Sequence, residues 1–206
     1  MIFVTGDCHG DFQRFSRKHF PQRRQMGRDD YMIVAGDFGG VWNGSSEERK
    51  RLDWLNEKPF TTLFVTGNHE NYWMLRELPV EDGILDMNAP DFRARYIHLL
   101  LEGRQRFRII GKSWWPEELP SDEEYTAALD TLERAGWKAD YVITHCAPTS
   151  IAHRMNRHYQ PDALTDFLEL VNNRLEFGCW LFGHYHDNRT IDDKHILLWE
   201  DIIQLT

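Results

Sequence analysis

Short apolar runs that each end in a block of Gly, Asp, Asn or His constrain the fold of this chain more than any other feature. The five blocks are Gly6-Asp7-Cys8-His9-Gly10, Gly36-Asp37-Phe38-Gly39-Gly40, Gly67-Asn68-His69-Glu70, Thr144-His145 and Gly183-His184-Tyr185-His186. The carboxyl ends of strands in an open α/β sheet are where ligands bind, because the loops there converge on one crevice. The pattern therefore predicts that five loops deliver polar side chains to one place.

The apolar runs have the length of strands, and helical patterns lie between them. The predicted strands are Ile2 to Thr5, Tyr31 to Ala35, Thr62 to Thr66, Tyr141 to Thr144, Cys179 to Phe182, Arg189 to Ile191, His195 to Trp199 and Ile202 to Leu205. Strand and helix in alternation predict an α/β fold with a parallel sheet covered by helices. In the middle of the chain, Tyr96 to Leu101 and Phe107 to Ile110 are possible strands, and the first segment is alternatively part of a helix.

Capping signals predict where two of the helices begin. Ser45 and Glu48 have the spacing of a capping box, and so do Ser121 and Glu124, whose helix should run to about Ala135. A third helix is indicated by apolar residues at helical spacing behind Pro161-Asp162. They are Leu164, Phe167, Leu168, Val171 and Leu175.

Composition narrows the class of protein and its partners. A chain of 206 residues with 41% hydrophobic residues suits one globular domain, residues 1–206. A formal charge of −9 disfavours binding to nucleic-acid phosphates, and no apolar run is long enough to span a bilayer. Three scattered cysteines and the lack of a basic leader before Asp7 indicate the cytoplasm. The sequence leaves the oligomeric state open.

The residue types in the five blocks indicate a metal site. Oxygen and imidazole donors with no requirement for thiolate suit Mn, Fe or Zn in a catalytic centre better than a structural zinc. Half of the ten histidines lie in these blocks. The other five are interpreted as ordinary core or surface residues, and they are His19, His98, His153, His158 and His195. Cys8, between two candidate ligands, is interpreted as a small buried spacer rather than as a reactive thiol.

In their order, the five blocks resemble the signature of the calcineurin-like metallophosphoesterases. The resemblance extends from residue 6 to residue 186. It implies an α/β sandwich of two central β-sheets flanked by helices, which holds two divalent metal ions, manganese first among Mn, Fe and Zn. One ion would be bound by Asp7, His9, Asp37 and His186. Asp37 would bridge to the second ion, whose other ligands would be Asn68, His145 and His184. His69 would be the catalytic histidine, and Asn68 and His69 would contact the substrate.

A small phosphorylated substrate follows from this interpretation. Two divalent ions bring four positive charges against the two negative charges of Asp7 and Asp37, so the pocket would attract phosphate into an acidic protein. Hydroxide on the paired metals would hydrolyse a phosphate monoester or a phosphodiester. Two alternatives remain: a family member that binds metal as a scaffold without turnover, and a nuclease on the same fold.

Two features depart from the pattern of the family. The second block continues as Phe38-Gly39-Gly40, where the Ser/Thr protein phosphatase branch has an Asp-Arg-Gly triplet that orients the histidine and grips phosphate. The interval between His69 and His145 is also short, which predicts a shortened middle region of the sandwich. Trp114-Trp115 in that interval is interpreted as core or interface packing, with an aromatic wall for the substrate as the alternative.

Overall fold

The computed structural model of this chain describes residues 1–77, 96–97 and 119–205. The strands of these residues are β1 (Ile2–Thr5), β2 (Tyr31–Ala35), β3 (Thr61–Val65), β4 (Tyr96–Ile97), β5 (Lys138–Thr144), β6 (Glu176–Phe182), β7 (Arg189–Thr190), β8 (His195–Leu197) and β9 (Ile202–Leu205). The α-helices are α1 (Ser46–Asn56), α2 (Tyr72–Arg76), α3 (Asp122–Arg134), α4 (Thr149–Met155) and α5 (Ala163–Arg174).

The described strands form two sheets. The first has the order β3-β2-β1-β9, in which β1, β2 and β3 are parallel and β9 pairs antiparallel with β1. The second has the order β4-β5-β6-β8-β7, in which only β7 is antiparallel to its neighbour. The predicted parallel arrangement is therefore confirmed at the centre of both sheets, with one antiparallel strand at an edge of each.

Alternation along the strands builds a layer of side chains between the two sheets. The buried members of this layer are Val4, Ala35, Val65, Ile143, Leu181, Leu198 and Leu205, contributed by both sheets. The neighbours of Ile143 and Leu181 along their strands, Val142 and Trp180, belong instead to a core on the outer face of the second sheet. Because successive side chains of a strand point to opposite faces, strands buried on both faces read as continuous apolar runs.

Helices and aromatic residues cover the outer faces. Leu132 of α3, Ile151 of α4 and Leu168 of α5 pack in the core outside the second sheet. Outside the first sheet, a cluster of phenylalanines that includes Phe15 and Phe60 packs with the strands. The sandwich of two sheets flanked by helices is thus confirmed.

Of the two predicted capping boxes, the structure shows one complete and one incomplete. Ser121 caps α3, and the side chain of Glu124 accepts in return from the Ser121 amide, which completes the expected capping box. Ser45 also caps α1, but the reciprocal bond from Glu48 is absent there. The carboxylate of Glu48 instead accepts from the backbone N–H groups of residues 42, 43 and 44. It is buried against that loop, whose three amides compete with the cap for its oxygens.

Some boundaries and connections differ from the sequence prediction. The third strand begins and ends one residue earlier, at Thr61–Val65, and β8 ends at Leu197 because the chain then crosses to the first sheet. The link from β1 to β2 contains two 3₁₀ helices, Gln13–Phe15 and Pro21–Gln25, in place of an α-helix.

Part of the middle region lies outside the described residues. Tyr96–Ile97 confirms the beginning of one possible strand as β4. The other strand predicted there, Phe107 to Ile110, lies outside the description, as do Trp114, Trp115 and His98. Within the residues that the structure covers, no helix has both the length and the apolar character needed to cross a membrane.

Candidate metal centre

The five polar blocks come together where the strands end. β1, β2 and β3 of the first sheet and β5 and β6 of the second lead directly into them. The backbone at four of the predicted ligands is left-handed, with φ values of 47° at His9, 41° at Asp37, 71° at His184 and 50° at His186. Such a conformation is uncommon for residues other than glycine and concentrates at functional sites.

The predicted ligands of the first ion, here called the first set, are Asp7, His9, Asp37 and His186. One donor atom from each side chain lies within 4.8 Å of the donor atoms of the other three. Within the set, His186 Nε2 is 3.1 Å from Asp7 Oδ2 and 3.0 Å from His9 Nε2. All four residues were predicted to share one ion, and the structure brings them together.

The predicted ligands of the second ion, here called the second set, are Asn68, His145 and His184. Asn68 Oδ1 is 2.9 Å from His145 Nε2 and 3.1 Å from His184 Nδ1, and the two ring nitrogens are 3.1 Å apart. Neighbouring donors around an octahedral ion with bonds of about 2.1 Å are about 3.0 Å apart. The three donors therefore have the mutual spacing of ligands on one face of such an ion.

Asp37 lies between the two sets. Its Oδ2 is 3.7 Å from His9 Nε2 in the first set, and its Oδ1 is 3.4 Å from His145 Nε2 in the second. Oδ1 also accepts a hydrogen bond of 2.7 Å from the backbone N–H of His69. The two oxygens of one carboxylate thus face two groups of donors, as a bridging ligand must.

Burial governs the charge of the site. Asp7 and Asp37 are each only 1% exposed. Burial favours the neutral form of Asp7, but the hydrogen bonds from His186 and from the backbone of His184, together with the nearby His145, outweigh it and keep the pKa of Asp7 below its usual value. Burial lowers the pKa of His184 to about 3. His184 is therefore neutral at pH 7, the form of the imidazole that can coordinate a cation.

Two glycines allow the carboxylates to take these positions. A Cβ atom on Gly183 would lie 2.1 Å from Asp7 Oδ1, and one on Gly67 would lie 2.2 Å from Asp37 Oδ1. Both contacts are far shorter than any non-bonded approach. The strand ends can therefore carry only glycine where they pass the two acids.

His69 is exposed beside the first set. Its ring lies edge-on to that of His9, with centroids 4.9 Å apart, while its backbone is held by Asp37. This placement leaves the imidazole available to a molecule that occupies the crevice.

The sequence interpretation missed two residues that support the site. Glu70 is buried and accepts hydrogen bonds from the Gly39 amide, and burial raises its pKa to about 8. Arg14 donates to the carbonyl oxygens of Asp7 and Gly6 at 2.7 and 3.2 Å. Arg14 lies outside the five blocks, so no local signal marks it. For Glu70, the only signal was its place directly after the candidate ligands.

Of the histidines interpreted as ordinary residues, His195 is the clearest case. It is buried, with Nδ1 2.8 Å from Asp192 and Nε2 3.0 Å from Asn172. His19 and His153 are exposed and bonded to nearby backbone oxygens. Cys8 is buried as expected of a spacer, and burial raises the pKa of its thiol to about 12.

Comparison with known proteins identifies the class. Residues 1–188 match the model of the calcineurin-like phosphoesterase family. The chain belongs to this family, as the resemblance of its five blocks implied, and the name of the family places it among the phosphoric ester hydrolases.

Individual relatives are distant. The chain is 21% identical over 177 residues to a probable cyclic nucleotide phosphodiesterase of Coxiella burnetii (strain RSA 493 / Nine Mile phase I), an alignment that covers 83% of this chain. It spans 66% of the length of that relative. Among solved structures it is similar to phosphopantetheinyl hydrolase from Mycobacterium tuberculosis, with a TM-score of 0.48 and 16% identity over 96% of this chain and 87% of the other.

Proposed function

We propose that this chain hydrolyses small phosphate esters at a centre of two divalent metal ions, with phosphodiesters as the favoured class. The observation that carries the proposal is the pair of donor sets that share Asp37. The family supports hydrolysis of a phosphoric ester, and the named activity of the Coxiella relative supports a diester. Manganese is proposed first, as the resemblance to the family implied, and the mixture of oxygen and imidazole donors also suits iron or zinc.

The donors of the site fit such a centre. Asp7, His9 and His186 would hold one ion, Asn68, His145 and His184 would hold the other, and Asp37 would contact both. When bound, two divalent ions supply charge that attracts phosphate and a water molecule of lowered pKa as the nucleophile. Since the two acids carry only two negative charges, the loaded pocket keeps a surplus of positive charge.

The chain's own residues position the ester and handle the proton. Asn68, whose Oδ1 lies against the imidazoles of His145 and His184, and the adjacent His69 would contact the substrate. His69, exposed and adjacent to His9, would donate a proton to the leaving oxygen as the P–O bond breaks. Donation would relieve the negative charge that develops on that oxygen.

We further propose that residues 1–206 form one domain located in the cytoplasm, where the thiols of the three free cysteines would stay reduced. A net charge of −9 makes small esters better substrates than nucleic acids.

Turnover of two aryl phosphates tests the proposal. Metal-free protein would be loaded with Mn²⁺ and assayed with bis(p-nitrophenyl) phosphate and with p-nitrophenyl phosphate. We expect hydrolysis of the diester to be the faster, and to fall more than about 100-fold in Asp37→Asn, the scale of losing one electrostatic group. Asp53→Asn, an exposed acid on α1, is the matched control and should retain activity.

The other outcomes separate the alternatives. Binding of Mn²⁺ without turnover of either ester would overturn the proposal in favour of a scaffold. Faster cleavage of single-stranded DNA or RNA than of the small esters would overturn the substrate class in favour of a nuclease.

A further inference from the structure

We propose that Trp199 is a positioning residue for His186, and that the turn between β8 and β9 completes the first ligand set. This turn lies beyond residue 188, where the match to the family ends. The inference rests on the proposed function, because it requires an ion at the set that contains His186.

His186 is the most exposed member of the first set. Its side chain is 47% exposed, more than the 34% of His9 and in contrast to the buried Asp7. A half-exposed imidazole has rotational freedom that it must lose when it binds a metal, and that loss weakens binding.

The indole of Trp199 limits this freedom. The rings of Trp199 and His186 are nearly parallel, at 18°, with centroids 5.6 Å apart, an offset-stacked arrangement. Stacking on one face of the imidazole leaves its Nε2 directed at Asp7 and His9. The indole thus packs on one face of the His186 ring, while the Nε2 atom of that ring stays accessible to the ion.

Trp199 is itself fixed to the end of β1. Its carbonyl oxygen accepts from the Gly6 amide at 3.0 Å and from Thr5 Oγ1 at 3.3 Å. Its backbone N–H donates to Asn188 Oδ1 at 2.7 Å. The approach is so close that a Cβ atom on Gly6 would lie 2.7 Å from the Cα of Trp199.

Arg14 joins this turn to a ligand directly. Its guanidinium donates both to the carbonyl of Trp199 and, at 2.7 Å, to the carbonyl of Asp7. One side chain, that of Arg14, therefore holds the backbone of both Asp7 and Trp199, the residue whose indole stacks on His186. Arg14 thus supports Asp7 directly and His186 through Trp199. These two proposed ligands are 179 positions apart in sequence.

Titration of metal-free protein with Mn²⁺ measures the effect. Wild type should bind two ions, and Trp199→Leu should weaken one of the two binding steps by about 10-fold or more, as loss of a group that orients a ligand does. Trp199→Phe keeps an aromatic face and should restore most of the affinity. Trp54→Leu, which removes a half-buried tryptophan on α1, should leave both steps unchanged.

Fluorescence adds a measurement that does not depend on folding of the leucine variant. Mn²⁺ is paramagnetic and should quench Trp199, so saturation should quench wild type more than Trp199→Phe. Equal affinities in wild type and Trp199→Leu, or equal quenching in wild type and Trp199→Phe, would overturn the inference. Failure of wild type to bind Mn²⁺ would instead overturn the proposed function.

Discussion

Backbone strain at individual residues marks the site as clearly as the donor atoms do. Among the described residues, five other than glycine have a left-handed backbone, and four of them are predicted ligands; the fifth is Trp137. A conformation of this kind costs of order 1–3 kcal/mol and persists when the surroundings enforce it. The strained backbone at the strand ends therefore lowers the stability of the fold, and it directs the donor atoms toward one another.

His69 should act on the leaving group rather than on metal binding. We expect His69→Asn to lower kcat by about 100-fold or more, the usual contribution of a general acid. The loss should be larger for a phenyl ester than for a nitrophenyl ester, since the poorer leaving group needs the proton more. Steady-state kinetics with both esters checks this, with His19→Gln as the control. An unchanged affinity for Mn²⁺ is part of the prediction, and equal losses for both esters would argue against proton donation.

Gly183 should tolerate no side chain. Gly183→Ala places a methyl group against the carboxylate of Asp7 and should cost about 1–3 kcal/mol, as overpacking does. The matched control is Gly27→Ala, because a Cβ there would have no neighbour within 4 Å. Urea unfolding of both variants without metal makes the comparison. A Gly183 variant as stable as the Gly27 variant would show that the strand end yields more easily than these contacts imply.

At the scale of elements, sequence patterns predicted the helices whose starts depend on residues close together in the chain. The capping box at Ser121 predicted the start of α3, and the helical spacing from Leu164 predicted α5. The Glu48 bond could not be predicted, because a loop folded over α1 supplies competing amides. The crossing of the chain after Leu197 to the first sheet depends on closure of the whole sandwich, which no local pattern encodes.

The contribution of the turn between β7 and β8 to the stability of the fold should depend on pH, because Asp192 titrates there. Burial alone would raise the pKa of Asp192, but hydrogen bonds from Lys194 and His195 lower it from 3.8 to about 2. Since the pKa is depressed in the folded state, the stabilisation is present above pH 3.8 and is lost as the pH falls toward 2. Asp192→Asn should therefore be less stable than wild type at pH 7, with a gap that closes in acid.

Urea midpoints from pH 7 down to pH 2 test this dependence. Asp193→Asn, at the exposed neighbouring acid, is the control and should run parallel to wild type throughout. A gap between Asp192→Asn and wild type that stays constant with pH would contradict the assignment.

At the scale of the whole molecule, the order of the five blocks carried the resemblance that implied the sandwich, which is confirmed, and the seven proposed ligands, which the structure brings together. Each block follows an apolar strand, and parallel strands place their ends at one edge. The supporting residues Arg14 and Trp199 were not predictable. Their roles exist only because a turn near the end of the chain packs on the end of β1, a contact between residues far apart in sequence.

Metal should stabilise the molecule as a whole, because its ligands come from both sheets. Free Mn²⁺ at 100 times the dissociation constant should add about 2.7 kcal/mol to the free energy of unfolding for each ion bound. For a chain of this size, each ion would then raise Tm by about 5–10 °C. Thermal unfolding followed by circular dichroism, with and without a chelator, gives the value. Asp37→Asn should show a much smaller rise, and an equal rise would place the bound ion elsewhere.

Anomalous scattering from crystals soaked in Mn²⁺ tests the central claim most directly. We predict two peaks about 3.5–4 Å apart, the spacing of two-metal sites, with the carboxylate of Asp37 between them. One peak should adjoin Asp7, His9 and His186, and the other Asn68, His145 and His184. A single peak, or two peaks that do not share Asp37, would contradict the account.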